Sequence, residues 1–166
     1  FVRKRFGKTT LWADDLFMSV PFLAGMYKLT GEEKYLDEGI RQVRNFHTRL
    51  FSPEKQLYHH CWYIEAGHPG VAHWGRAIVW VAMAKCMLIN VMPGDHPQRK
   101  ELIQILLRQI LGFSRYQCAN GMWRQLLDRE DAWHESSSTA MFTYAVAGAV
   151  NEGWIDNMYS SVAVRG

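Results

Sequence analysis

In Trp74-Gly75-Arg76-Ala77-Ile78-Val79-Trp80-Val81-Ala82-Met83-Ala84-Lys85-Cys86-Met87-Leu88-Ile89-Asn90-Val91-Met92, apolar side chains fill nearly every position, with Lys85 the main interruption. The stretch predicts a helix from about His73 to Met92, ended by Pro93-Gly94-Asp95. A helix apolar on most faces is a buried one, so other elements of the chain must surround it. The flanks supply them. Asp15 to Leu29 has helical apolar recurrence and stops at Thr30-Gly31, and Glu32 to Leu50 carries Leu36, Ile40, Val43, His47 and Leu50 on one stripe. Ser52-Pro53 breaks that helix, and Leu57 to Trp62 reads as a short strand before the glycine-containing stretch Ala66 to Gly70. On the far side, Pro97 suits the first turn of a helix running to about Tyr116 with Leu102, Leu106, Ile110 and Phe113 inward. Asn120-Gly121 then turns the chain into a second short strand, Met122 to Leu127, and a small-residue helix, Glu135 to Asn151, follows.

These elements repeat. The unit is outer helix, strand, inner helix, and the three inner helices begin near Trp12, Trp74 and Trp133, which lie 62 and 59 residues apart. Each start has a Trp followed two residues later by a charge: Trp12-Ala13-Asp14, Trp74-Gly75-Arg76 and Trp133-His134-Glu135. In a circular array of helical hairpins the inner-helix N-termini converge on one end, gathering these tryptophans and charges around a single cavity. The alternative at each site is a hydrophobic staple with an acidic cap. The expected fold is therefore all-α, a toroid of helical hairpins with short strands between hairpins, and residues 1–166 form one domain of about three hairpins. A closed ring of this kind takes about six, so the expectation is a partial toroid with an unclosed apolar edge that favours self-association.

Composition narrows the partners. Nineteen Lys and Arg against sixteen Asp and Glu give +3 with the charges interspersed, too weak a bias to imply nucleic acid. No run of ~18 uncharged apolar residues occurs and no basic segment precedes an apolar core, so neither a membrane span nor a signal peptide is expected. Three cysteines, Cys61, Cys86 and Cys118, match no disulfide framework or zinc spacing, which favours a reducing compartment, the cytoplasm, with the periplasm left open. Seven Trp and seven Tyr exceed what a core of this size needs and point to a ligand surface.

Asp14 and Asp15 are neighbours on a helix and point about 100° apart, so only one faces the cavity while the other turns to solvent or caps the helix. Asp14 shares the position of Arg76 and Glu135 and is the candidate general acid, a carboxyl in a partly apolar site. Arg76, at the start of a very apolar helix, either takes a carboxylate in its planar fork or pairs with Glu135 or Asp14. His59, His60, Cys61, His68 and His73 cluster locally, but adjacent strand residues face opposite ways and no HxxxH or CxxC spacing supports a metal, so none is expected. One strand histidine together with Trp62 suits sugar binding or proton handling. Trp74 and Trp80 offer flat faces for a pyranose or belong to the core. Ser136 to Thr139 lack a nucleophile elbow and read as caps and tight packing.

The run Leu11-Trp12-Ala13-Asp14-Asp15-Leu16-Phe17-Met18-Ser19-Val20-Pro21-Phe22 resembles the W-x-D-[GD]-L-[YF]-M-x-x-P-F motif of the unsaturated rhamnogalacturonyl hydrolases, glycoside hydrolase family 105, relatives of the family 88 unsaturated glucuronyl hydrolases. The resemblance continues through Leu57-Tyr58-His59-His60-Cys61-Trp62, Trp74-Gly75-Arg76 and Glu135-Ser136-Ser137-Ser138-Thr139-Ala140-Met141, covering essentially the whole chain. It implies an (α/α)6 barrel that hydrates the vinyl ether of a Δ4,5-unsaturated uronic acid at the non-reducing end of an oligosaccharide. By the same implication Asp14 is the acid/base, His60, Trp12, Trp74, Arg76 and Trp80 line the substrate pocket, and no cofactor is needed. Trp62, Trp133 and Glu135 join that set from the residue pattern alone. Family members commonly read R-G-N-G-W where this chain has Arg76-Ala77-Ile78-Val79-Trp80, and the family's second cavity aspartate falls upstream of the W-x-D motif. The competing readings are a conventional glycosidase or polysaccharide lyase on the same barrel, and an inactive or truncated toroid that binds carbohydrate or protein.

Overall fold

The apolar stretch from Gly75 to Val91 is a helix enclosed by its neighbours, and its burial organises everything around it. In the computed structural model, which describes residues 2–166, three inner helices stand side by side in chain order: α1 (Asp14–Thr30), α3 (Gly75–Val91) and α5 (Ser136–Asn151). α3 packs against α1 on one side and α5 on the other, while the outer helices α2 (Glu33–Leu50) and α4 (Arg99–Ser114) cover the backs of α1 and α3. α2 shows why an outer helix forms here: Leu36, Ile40, Val43, Phe46 and Leu50 recur every three or four residues and are buried, and the opposite face is charged. A last short helix, α6 (Ser160–Arg165), leans on α5. The arrangement is mostly helical, a row of inner helices backed by outer ones. The helix boundaries expected from periodicity hold within two residues.

Small strands link the hairpins. β1 (Arg3–Arg5), β2 (Lys8–Trp12), β5 (Cys61–Tyr63) and β6 (His68–Pro69) form an antiparallel sheet in that order, and β3 (Phe51–Ser52) pairs with β4 (Leu57–Tyr58). Three expectations change. The strand expected over Leu57 to Trp62 is split in two, because His59 and His60 turn their main chain to Leu50 and Ala72 instead. Met122 to Leu127 makes only isolated bridges, Trp74 with Leu126 and Arg124 with His134. Trp12 ends a strand rather than starting a helix, and the hairpin β1–β2 has no counterpart in the periodicity analysis.

Main-chain hydrogen bonds run from one inner-helix start to the next. Ala13 N–H donates to the His60 carbonyl (2.9 Å) and His60 N–H to the Ala72 carbonyl (2.9 Å). Gly75 N–H then donates to Gln125 (2.8 Å), Gln125 N–H to Trp133 (2.8 Å) and Glu135 N–H to Trp123 (2.8 Å). These bonds satisfy donors that helix starts and loops would otherwise leave orphaned, and they fix three helix ends in one plane of loops.

Within the Arg76 to Trp80 stretch, Ala77, Ile78 and Val79 are fully buried, and Gln109 Nε2 donates to the Ile78 carbonyl (2.7 Å). Elsewhere Phe113, Trp123 and Phe142 pack at ring separations of 4.1–5.5 Å, with Phe113 stacked on Phe142 and Trp123 edge-on to Phe142. Gly112 on α4 lies against the Gln56 main chain so closely that a Cβ would sit 1.7 Å from its carbonyl oxygen.

Lys85 is the exception inside the apolar row. It is fully buried, with Nζ 3.3 Å from the Tyr58 hydroxyl, which in turn lies 2.7 Å from His47 Nδ1. Burial pushes the Lys85 amine down to about 7 and the His47 ring down to about 4. Between pH ~7 and ~10 the unfolded chain holds a proton that folded Lys85 has lost, so stability rises with pH across that window.

Two predictions test the packing. Gly112→Ala should destabilise by about 1–3 kcal/mol or more, since the clash is with backbone, measured by chemical denaturation. Lys85→Met should raise stability by roughly 1–4 kcal/mol at pH 6 and flatten the rise in Tm between pH 7 and 10. An unchanged pH slope would refute a buried, deprotonated Lys85.

Candidate active site

At the loop end of the row, the starts of α1, α3 and α5 carry their charges into one neighbourhood. Asp14 opens α1, and its Oδ2 lies 3.6 Å from His60 Nε2. The separation exceeds a hydrogen bond, as is common in catalytic pairs that tighten around substrate. His60 is delivered by the loop whose main chain ties α1 to α3, and its imidazole sits edge-on between two indoles, 4.5 Å from Trp12 and 5.1 Å from Trp74. The Arg76 guanidinium lies 4.3 Å over the Trp74 ring and pairs with Glu135, whose Oε1 also accepts from Ser137 Oγ (2.7 Å). Of the two readings for Arg76, the ion pair with Glu135 is the observed one; Arg76 remains partly exposed.

Five polar atoms of this cluster, Trp12 Nε1, Asp14 Oδ2, His60 Nε2, Trp74 Nε1 and Glu135 Oε2, are buried with no hydrogen-bond partner among the described residues. Buried polar groups are nearly always paired, and a local concentration of orphaned donors and acceptors is what a site for a hydroxyl-rich ligand requires. Burial lowers the His60 pKa below its ordinary value, against the opposing pull of Asp14, so the ring is neutral at pH 7.

The structure thus brings together Trp12, Asp14, His60, Trp74, Arg76 and Glu135. Trp80 lies one turn along the same face of α3 from Arg76, with its ring 4.2 Å from Phe17. Two other expected residues are placed elsewhere. Trp62 is paired with Leu11, so it shares Leu11's face of the sheet and packs on the core, opposite to Trp12 and Cys61. Trp133 is 67% exposed and lines a separate cavity of about 500 Å³ with His73, Asp128 and Arg129. Asp15 neither caps the helix nor faces solvent. It is buried against Arg3 and lies 3.4 Å from Arg5. Periodicity missed these arginines because they sit on the unforeseen hairpin; the basic run Arg3-Lys4-Arg5 and Lys8 flanking Phe6-Gly7 was the available signal. Among the described residues, no group of three or more His, Cys, Asp or Glu is arranged to hold a metal ion, and no helix is long and apolar enough to cross a membrane.

Helical hairpins thus present an acid, an imidazole and indoles together at their loop end. The profile described as Glycosyl Hydrolase Family 88 matches residues 1–166, and the chain belongs to that family. It is similar to an unsaturated 3S-rhamnoglycuronyl hydrolase of Alteromonas sp. (strain LOR), 32% identical over 161 residues, covering 93% of this chain and 38% of the relative. It is also similar to the unsaturated rhamnogalacturonyl hydrolase YesR of Bacillus subtilis (strain 168), 30% identical over 130 residues, covering 78% of this chain and 38% of the relative. Among solved structures, it is similar to a family 105 glycoside hydrolase of C. acetobutylicum ATCC 824, with a TM-score of 0.89 at 28% identity, covering 94% of this chain and 47% of that one. The chain spans less than half the length of each of these three.

The charge balance at His60 gives a prediction. Its titration midpoint, followed by the imidazole carbon-bound proton in NMR, should fall below 6.5, and Asp14→Asn should lower it further by removing the charge that opposes desolvation. A midpoint that rises in Asp14→Asn would contradict the pairing.

Proposed function

We propose that the protein hydrolyses unsaturated uronyl oligosaccharides, removing a Δ4,5-unsaturated uronic acid from the non-reducing end by hydration of its vinyl ether. The observation that carries this reading is the cluster of unpartnered buried polar atoms around Asp14 and His60, flanked by the Trp12 and Trp74 indoles. Family membership and relatives named for such hydrolases support it.

In this reading the Asp14 carboxyl gives its proton to C4, and positive charge develops at C5 and the ring oxygen. Water adds to C5 and yields its proton to the Asp14 carboxylate. The hemiketal then opens and the rest of the sugar chain leaves. Neutral His60, 3.6 Å from Asp14, orients the carboxyl and accepts or returns a hydrogen bond as its charge changes. Trp12 and Trp74 offer apolar faces and indole N–H donors to the sugar. Arg76, held by Glu135 and still partly exposed, sits where a uronate carboxylate can share its fork. No cofactor enters the scheme.

The same reading makes this row of helices part of an (α/α)6 ring. Met18, Phe22 and Leu29 expose one stripe of α1, the edge against which further hairpins or a second copy would pack. Three free cysteines suit a reducing compartment such as the cytoplasm.

The test is the loss of absorbance of the conjugated double bond on unsaturated galacturonyl-rhamnose and unsaturated glucuronyl disaccharides. Asp14→Asn should reduce kcat by roughly 10²–10⁴-fold while leaving the circular dichroism spectrum intact. Turnover retained in Asp14→Asn would end the proposal, and formation of new double bonds would move the protein to lyase chemistry.

A further inference from the structure

The hairpin β1–β2 brings Trp12 to the Asp14 cluster from the end of its second strand, and its turn is built against the usual preference. Arg5 pairs with Lys8, leaving Phe6-Gly7 as a two-residue loop with φ of 52° and 77°. Two positive φ angles define a type I′ turn, in which asparagine normally precedes glycine. A phenylalanine here strains its backbone and leaves its ring 95% exposed, a combination that turn chemistry and packing both disfavour.

What the ring overhangs explains it. Strand pairing sets Arg5, Lys8, Trp12 and Tyr63 on one face of the sheet. With Phe6 and His60 they border a cavity of about 360 Å³ that has no carboxylate among its described lining residues. The Arg5 guanidinium lies 3.6 Å from the Trp12 ring centre, and Lys8 Nζ lies 5.4 Å from the Tyr63 ring. Asp15, shared by Arg3 and Arg5, approaches Arg5 at 3.4 Å, and one carboxylate between two arginines leaves the hairpin positive. Trp12 and His60 belong both to this cavity and to the Asp14 cluster, so the two are contiguous.

We propose that this cavity is a subsite for an anionic substituent, a sulfate ester or a carboxylate, on the sugar adjoining the cleaved bond. The inference rests on the hydrolase reading above. Arg5, backed by the Trp12 ring, supplies a planar fork and Lys8 a point charge, while Phe6 and Tyr63 supply apolar faces for the pyranose that carries the anion.

The test measures equilibrium binding in the Asp14→Asn background, which keeps substrates intact. Three unsaturated uronyl disaccharides are compared: one with a neutral reducing-end sugar, one with that sugar sulfated, and one with a uronic acid in its place. At low salt at least one charged disaccharide should bind about five-fold tighter than the neutral one, the scale of a partly exposed ion pair. The ratio should shrink at high salt and fall to one or below in Lys8→Glu. Whichever charged sugar gives the larger ratio identifies the substituent. Phe6→Asn should raise Tm by relieving the turn and reduce the affinity for the charged sugar. Equal affinities for neutral and charged disaccharides, or a gain that survives Lys8→Glu, would overturn the subsite while leaving the hydrolase reading in place. Failure of all three disaccharides to bind would fail the hydrolase reading itself.

Discussion

The molecule depends on a chain of main-chain hydrogen bonds that passes from Ala13 through His60 to Ala72, and from Gly75 through Gln125 to Trp133, joining the starts of three inner helices. Packing of α1, α3 and α5 into one row is a hydrophobic matter and leaves sliding along the helix axes weakly determined, because apolar contact is non-directional. Directional bonds between loops remove that freedom. They place the first turns of the helices at one level, and a carboxylate, a guanidinium and a second carboxylate carried on those turns then meet without further design.

Charge is handled in pairs that leave Asp14 distinct. Glu135 is occupied by Arg76 and Ser137, and Asp15 by Arg3 and Arg5. Asp14 alone of the three faces an imidazole and no arginine, with its Oδ2 3.6 Å from His60 Nε2. Two adjacent aspartates on one helix therefore have different surroundings, Asp15 between two arginines and Asp14 beside His60, set by the 100° between neighbouring helical residues. Inside the core, Lys85 reaches the Tyr58 hydroxyl, which in turn meets His47, and burial lowers the amine's pKa to about 7.

Much of this was legible in the sequence because helices announce themselves by apolar recurrence, and α2 and α4 carry that recurrence cleanly. The repeated Trp with a charge two residues later located Asp14, Arg76 and Glu135, all of which the structure gathers. The pattern misled at Trp133. Helix α5 begins after Glu135 whereas α3 begins directly after Trp74, so equal spacing in sequence became unequal placement and Trp133 turned to another cavity. Trp62 was assigned to the site with its neighbour His60, but strand alternation sends it to the Leu11 face. The hairpin went unseen because Lys8-Thr9-Thr10-Leu11-Trp12 lacks apolar alternation and Phe6-Gly7 is an unusual turn. Met122 to Leu127 promised a strand, yet its main chain divides its bonds between the loops before α3 and α5.

Because the bonds that level the three helix starts run through amide and carbonyl groups, they are indifferent to the side chains at those positions. Ala72, Gln125 and Trp133 can be exchanged for residues of other chemistry without dissolving the frame, provided the new residue is not proline. Such a scaffold lets the rim of the cavity diversify by single substitutions while the Asp14 and His60 geometry stays fixed. Selection for a new sugar can then proceed one side chain at a time, with little penalty in folding.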